Sequence, residues 1–115
     1  MKTLQITLQK KWFDMTDSGE KKEEYRDIKM YWASRLMNGF PSTFGIELLN
    51  PDFKTFDFVH AVNGYGKNKP SWTRQCLGIS IGEGNPEWGA EIGKQYFIIK
   101  LGNKISNPNQ QHGKD

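Results

Sequence analysis

The chain has 115 residues and a mass of 13.3 kDa, room for one hydrophobic core, since a second independent core would leave both halves marginal. Lys and Arg number 16 against 13 Asp and Glu, a formal net charge of +3, so no strongly basic or acidic partner is demanded. No apolar run approaches the roughly 18 residues of a membrane-spanning helix, the first residues lack the apolar stretch of a secretory leader, and one cysteine with two histidines excludes a disulfide framework and a Cys- or His-rich metal centre.

Leu4, Ile6 and Leu8 alternate with polar residues and predict a first strand with those three facing inward. Trp12, Met15 and Thr16, widened by Phe13, give a helical stripe over 10–18, ended by Gly19, which adopts the left-handed conformation without a Cβ penalty. Residues 21–28 read as a strand, because a helix there would bury almost nothing. Lys22, Glu24 and Arg26 then share one face and Lys21, Glu23 and Tyr25 the other, so charge goes inward whichever face is buried. Residues 30–37 predict a short helix with Trp32–Leu36 and Ala33–Met37 pairs one turn apart. A loop broken by Pro41, Gly45 and Pro51 follows, with some of its apolar residues packing down.

Strands are expected over 56–62, with Phe56, Phe58, His60 and Val62 on one face, over 72–81, and over 95–101. A turn over 63–70 and a glycine-rich loop over 82–91 separate them. Cys76, mid-strand, reads as a buried and inert thiol, and His60 as a wall residue. After Gly102 only Ile105 is aliphatic, so the expected organisation is a folded domain over 1–102 and a polar, disordered tail over 103–115. Five or six strands and two short helices, without regular helical crossovers, make the fold class α+β and mainly β. Such strands close most easily into a small barrel or half-barrel.

The densest polar cluster is Gly19-Glu20-Lys21-Lys22-Glu23-Glu24-Tyr25-Arg26. The plain reading is a solvated charged face. On a strand, however, Glu24 and Arg26 lie on one side, and Lys21, just after a helix-ending glycine, can turn toward Glu24 across the mouth of a cleft. A lysine beside a carboxylate binds an anionic or carbonyl group, or acts as a base or nucleophile if its pKa is lowered. Glu83 and Glu87 share a loop with Trp88, which is either a lid on the core or a ring for base stacking. Tyr65, between Gly64 and Gly66 and followed by Lys67 and Lys69, suits stacking with phosphate contact, or is a plain surface turn.

The string from Gly19 to Arg26 fits G-x-K-x-x-E-x-R through Gly19, Lys21, Glu24 and Arg26, and resembles the signature of the ASCH domain family of the PUA-like superfamily. Asp57-Phe58-Val59, Asn63-Gly64-Tyr65-Gly66 and residues 82–90 resemble a compact bacterial and phage subgroup, and the likeness spans roughly residues 2–102. The resemblance implies a small PUA-like β-barrel with helices beside a cleft, in a module that binds RNA. It also implies an alternative, because one small member type is an amidohydrolase of N4-acetylcytidine in which the motif lysine is catalytic; other members are ribonucleases. Lys21 carries over from that hydrolase pattern, Glu24 replaces its threonine, and Glu83 or Glu87 stands for its distal glutamate.

The expectation is therefore a cytoplasmic RNA- or modified-nucleoside-binding domain, with Lys21, Arg26, Tyr65, Lys67 and Trp88 in binding and Gly19 shaping the motif. In the hydrolase alternative, Lys21 activates the attacking group, Glu24 or Glu83 moves the proton and Arg26 holds the oxyanion. No cofactor, metal or membrane is expected in either. A ribonuclease using the same cleft, with Lys21 and Arg26 on the phosphate, is a further alternative, and a protein-interaction module, with the motif as a structural network, is the last reading.

Overall fold

The computed structural model describes residues 2–38, 51–64 and 69–105. Among them, seven regular elements follow in the order β1 (Thr3–Leu8), α1 (Lys10–Ser18), β2 (Glu23–Asp27), α2 (Met30–Leu36), β3 (Phe58–Asn63), β4 (Ser71–Glu83) and β5 (Gln95–Ile105), with a 3-10 turn at Pro86–Trp88. The class is α+β, mainly β. The strands form a five-stranded sheet of order β1-β3-β4-β5-β2, with β1 parallel to β3 and the pairs β3–β4 and β2–β5 antiparallel. The chain divides into two compact units, the first drawn from 1–22, 56–77 and 101–115 and the second from 23–55 and 78–100.

In the first unit, Leu4, Ile6 and Leu8 of β1 are buried, as their alternation predicts. Leu4 is in register with Val59 and Ile6 with Ala61, and Val59 and Ala61 oppose Arg74 and Trp72 of β4. Opposed residues share a face of the sheet, so Val59, Ala61, Trp72 and Arg74 lie on the buried side. The sequence reading left the facing of β3 open: Val59 and Ala61 are inward, while Phe58, His60 and Val62 share the other, half-buried face. The segment is apolar on both faces, so its alternation carries no sign. His60 Nδ1 is 2.9 Å from Thr73 Oγ1.

Helix α1 buries Phe13 and Thr16. Thr16 shares its hydroxyl hydrogen between the Trp12 and Phe13 carbonyls (2.9 and 3.0 Å) and accepts the Trp72 indole N–H at 2.9 Å. Gly19 closes the helix at φ 88°, a left-handed conformation in which its N–H reaches the Thr16 carbonyl. Arg74 satisfies further carbonyls at this end. Its guanidinium donates to Thr16 O (2.9 Å), Asp17 O (3.2 Å) and Gly102 O of β5 (3.0 Å).

In the second unit, Tyr96, Phe97, Ile98 and Ile99 of β5 are buried in an unbroken run, the pattern of a strand covered on both faces. Register with β2 separates the two faces. Glu24 and Arg26 stand opposite Ile99 and Phe97, whereas Tyr25 stands opposite Ile98. Tyr25 packs with Ala90, Tyr96 and Ile98. Helix α2 buries Ala33 and Leu36, and Phe53 meets the Phe97 ring edge to face. Phe53 also bridges Met37, and Lys54 Nζ donates to the Ser34 carbonyl at 3.2 Å.

Several boundaries differ from the sequence reading, among them the start of β3 at Phe58 instead of Phe56. β2 begins at Glu23, so Lys21 precedes the strand. β4 runs on to Glu83, and the expected loop holds the 3-10 turn. β5 continues to Ile105, so residues 103–105, assigned to the tail, are strand. Asn103 N–H donates to Gln75 Oε1, one reason why a polar segment stays paired. Cys76 is half-buried rather than fully buried. The loop over 39–50 and the tail from 106 lie outside the described residues.

Candidate functional site

Two charged residues of the motif are withdrawn from water: Lys21 is 2% exposed and Glu24 3%. Lysine and glutamate are almost never fully buried unless paired, so at these positions a solvated charged run is not what forms. Lys22, by contrast, is exposed.

Lys21 follows the left-handed Gly19, and its own N–H donates to the Met15 carbonyl at 2.9 Å, which fixes the backbone beside α1. Its Nζ lies 5.6 Å from the centre of the Trp12 ring, with Lys11 Nζ 4.7 Å from the same ring. The indole thus supplies a cation-attracting face as well as cover.

Glu24 and Arg26 form an ion pair, with Nη1 donating to Oε1 at 3.3 Å and to the Tyr25 carbonyl at 2.9 Å. The Glu24 side chain is 4% exposed and that of Arg26 15%. The carboxylate is thus the more deeply buried partner of the pair. Arg26 also lies over Trp32 of α2, 5.0 Å from its ring centre. Such an arginine is oriented before any ligand arrives, and a planar anion such as a phosphate or carboxylate is what its geometry recognises.

Tyr25, on the other face of β2, donates to Glu23 Oε1 (2.8 Å) and accepts the Asn85 N–H (2.9 Å). Burial is the main cause pushing its phenol well above the ordinary value, with the Glu23 acceptor adding and the Asn85 N–H opposing. A Cβ at Gly84 would come within 2.7 Å of both Tyr25 Cζ and Ala90 Cβ, so the glycine is required by packing.

The remaining expected residues fall as follows. Glu83 and Glu87 are exposed, and Glu83 accepts the Gly93 N–H at 3.1 Å. Trp88 is half-buried at the end of the 3-10 turn, with Glu87 N–H capped by Asn85 Oδ1 at 2.9 Å. Tyr65 and Lys67 lie outside the described residues. Sequence reasoning missed Trp12 and Trp32 as the rings against Lys21 and Arg26. It also missed Arg74, for which a signal existed: it alternates with the core residue Trp72, and an arginine on a buried face has to find acceptors.

Among the described residues, no group of three or more His, Cys, Asp or Glu is arranged to hold a metal ion, and no helix is long and apolar enough to cross a membrane. Compared with protein-family models, curated proteins and solved structures, the chain matches none.

Proposed function

We propose that the chain is an ASCH-like domain of PUA-like barrel type that binds RNA or a modified nucleoside in the cytoplasm through the charged residues of its Gly19–Arg26 motif. The observation that carries this reading is the state of the motif: Glu24 is buried beneath Arg26, and Lys21 is buried against Trp12. Burying a charge costs several kcal/mol, by order of magnitude, unless it is compensated. Trp12 beside Lys21, and the Arg26 pair beside Glu24, offset part of that cost and hold these polar groups in fixed orientations. The +3 charge and the resemblance support an RNA partner over a neutral one.

Arg26 contacts the anion, and Glu24 fixes its guanidinium. Lys21 supplies a second positive charge, and Trp88, Tyr65 and Lys67 are further contacts on this reading. The test is a titration of labelled single-stranded RNA at low and physiological salt, with Arg26→Ala and Lys21→Ala. Binding weakened about tenfold by loss of Arg26, with a smaller effect at higher salt, is expected for a charge-assisted phosphate contact. Affinity that ignores both salt and Arg26 overturns the reading. Incubation with N4-acetylcytidine is run beside it: turnover abolished in Lys21→Ala makes the protein an amidohydrolase, with Glu24 compatible with that chemistry, instead of a binding module.

A further inference from the structure

In the first unit, helix α1 meets the Trp72 side of the β1–β3–β4 sheet, where Thr16 accepts the indole N–H. The register defines the opposite face. Thr3, Phe58 and Gln75 stand in one row across the three strands, and His60 stands opposite Thr73 two residues further along β3. Up to Leu77, no side chain on this face is Lys, Arg, Asp or Glu, in a chain with 16 basic and 13 acidic residues. Thr3, Gln75 and Leu77 are exposed, Leu77 at 64%, while Phe58, His60 and Thr73 between them are half-buried. Gln75 and Leu77 lie close over Gly102 of β5, where a Cβ would come within 2.9 Å of Gln75 Oε1 and Leu77 Cδ2. The glycine thus lets both side chains lie low and keeps the face flat.

β3 is the middle strand of the three, and Phe58 and His60 are two residues apart on it, about 6.6 Å at the usual rise of a strand. Their rings therefore follow one another on the same face. His60 Nδ1 is 2.9 Å from Thr73 Oγ1, so a neighbour orients the imidazole. A side chain that is ordered beforehand loses less entropy on binding. Charge returns only at the two ends of this line. At the Phe58 end, the Lys2 carbonyl accepts the Phe58 N–H at 3.3 Å and Asp57 accepts the Lys2 N–H at 2.9 Å, so both signs meet there. At the other end, exposed Lys69 precedes Pro70, whose carbonyl takes the Asn63 N–H at 3.0 Å. A cation thus stands just beyond His60 and Val62.

A flat, uncharged face with two rings in line and a cation at its end suits a ligand made of flat rings joined by anions. An acidic peptide would lay its carboxylates on uncharged side chains, and a free nucleoside would use one ring and no cation. A duplex hides the faces of its bases, whereas a single strand exposes them, and rings on a sheet face are a recurring platform for successive bases. We propose that Phe58 and His60 stack two successive bases of single-stranded RNA on this face of β3, with Lys69 on a phosphate. This rests on the RNA-binding reading and deepens it: the ligand is a strand of several nucleotides instead of a lone nucleoside.

The experiment is fluorescence anisotropy of a labelled oligocytidylate of roughly ten nucleotides, a length within the range that single-strand-binding folds occupy. It is read with the wild-type chain and with His60→Leu, His60→Phe, Phe58→Leu, Lys69→Gln and Arg26→Ala. His60→Leu and Phe58→Leu keep apolar bulk and remove a ring, and each is expected to weaken binding about tenfold, the order found when a base loses its stacking ring. His60→Phe keeps a ring and is expected within about twofold of wild type on the same ground. Lys69→Gln removes one phosphate contact and lowers the salt slope by about 0.7. Urea midpoints are read for all five; should Phe58→Leu lose stability, the two His60 variants carry the test.

Unchanged affinity in His60→Leu and Phe58→Leu alongside a loss in Arg26→Ala overturns the stacking face and leaves the RNA reading standing. Equal losses in His60→Phe and His60→Leu assign the effect to the imidazole nitrogens and overturn stacking. Absence of wild-type binding overturns the RNA reading and the face with it. Sedimentation without RNA adds one more outcome: a wild-type dimer that becomes a monomer in Phe58→Leu puts a second copy of the chain on this face and overturns the nucleotide assignment.

Discussion

Tyr25 is held by a donor and an acceptor at once, and the balance fixes its protonation. Its O–H points to Glu23, and its oxygen takes the Asn85 N–H. Burial raises the phenol pKa most; the Asn85 N–H opposes it, and the Glu23 acceptor and the nearby carboxylate charges add to the rise. The unfolded phenol ionises near pH 10, by the usual reference value. Above that pH the unfolded chain has released a proton that the folded chain retains, so stability falls as pH rises toward the folded pKa. Below it both states are protonated and Tyr25 adds no pH dependence. The Lys94–Asp27 pair changes in the same direction, since its hydrogen bond raises the lysine, but it lies at the surface and contributes little. Urea midpoints followed from about pH 8 to about pH 11 are expected to fall in the wild type and to fall less in Tyr25→Phe. Parallel curves for the two would show that Tyr25 keeps no proton the unfolded chain loses.

At the scale of elements, the Arg74 fork ties the end of α1 to β5. The last carbonyls of a helix have no partner within it, and Arg74 reaches those of Thr16 and Asp17 together with Gly102 O. Lysine has the charge but not the planar fork, so it cannot address three carbonyls in one geometry. Arg74→Lys is expected to cost about 2 kcal/mol, in the range for hydrogen bonds to charged groups, measured by urea unfolding. A change of only a few tenths, the usual size at a surface site, would mean that water satisfies those carbonyls equally well. This fork also marks where sequence ran out. The alternation of Leu4, Ile6 and Leu8, the stripe with Phe13 and Thr16, and the stop at Gly19 were readable because each has one apolar side or one permissive backbone. β3 was not, because Phe58 and Val59 are equally apolar, and the face was chosen by what packs on it. For the candidate site, residue types and spacing named Lys21, Glu24 and Arg26. The burial of Glu24 was not readable, since Glu24 and Arg26 stand opposite Ile99 and Phe97, far along the chain. Trp12 and Trp32 were hidden for the same reason: ring-to-cation contacts between elements leave no spacing in the sequence.

For the whole molecule, on the proposed RNA-binding reading, net charge and a placed guanidinium predict different salt dependences. The formal charge of +3 is a small excess of 16 over 13, spread along the chain. A protein binding through diffuse charge would show a salt dependence set by how many phosphates it covers, regardless of which lysine is removed. Here the proposed anion contact is Arg26, paired with Glu24 and laid over the Trp32 ring. One phosphate contact on a single strand contributes about −0.7 to the slope of log K against log salt. Removing Arg26 is then expected to make the slope shallower by about 0.7, whereas neutralising Lys100, exposed on β5, leaves it unchanged. A slope several times steeper, equally sensitive to Lys100→Gln, would place the binding on the overall charge and remove the need for any oriented guanidinium. The buried Glu24 sharpens the distinction. Glu24→Gln raises the net charge by one, so diffuse binding would tighten, while an Arg26 that has lost its ionic support would bind more weakly.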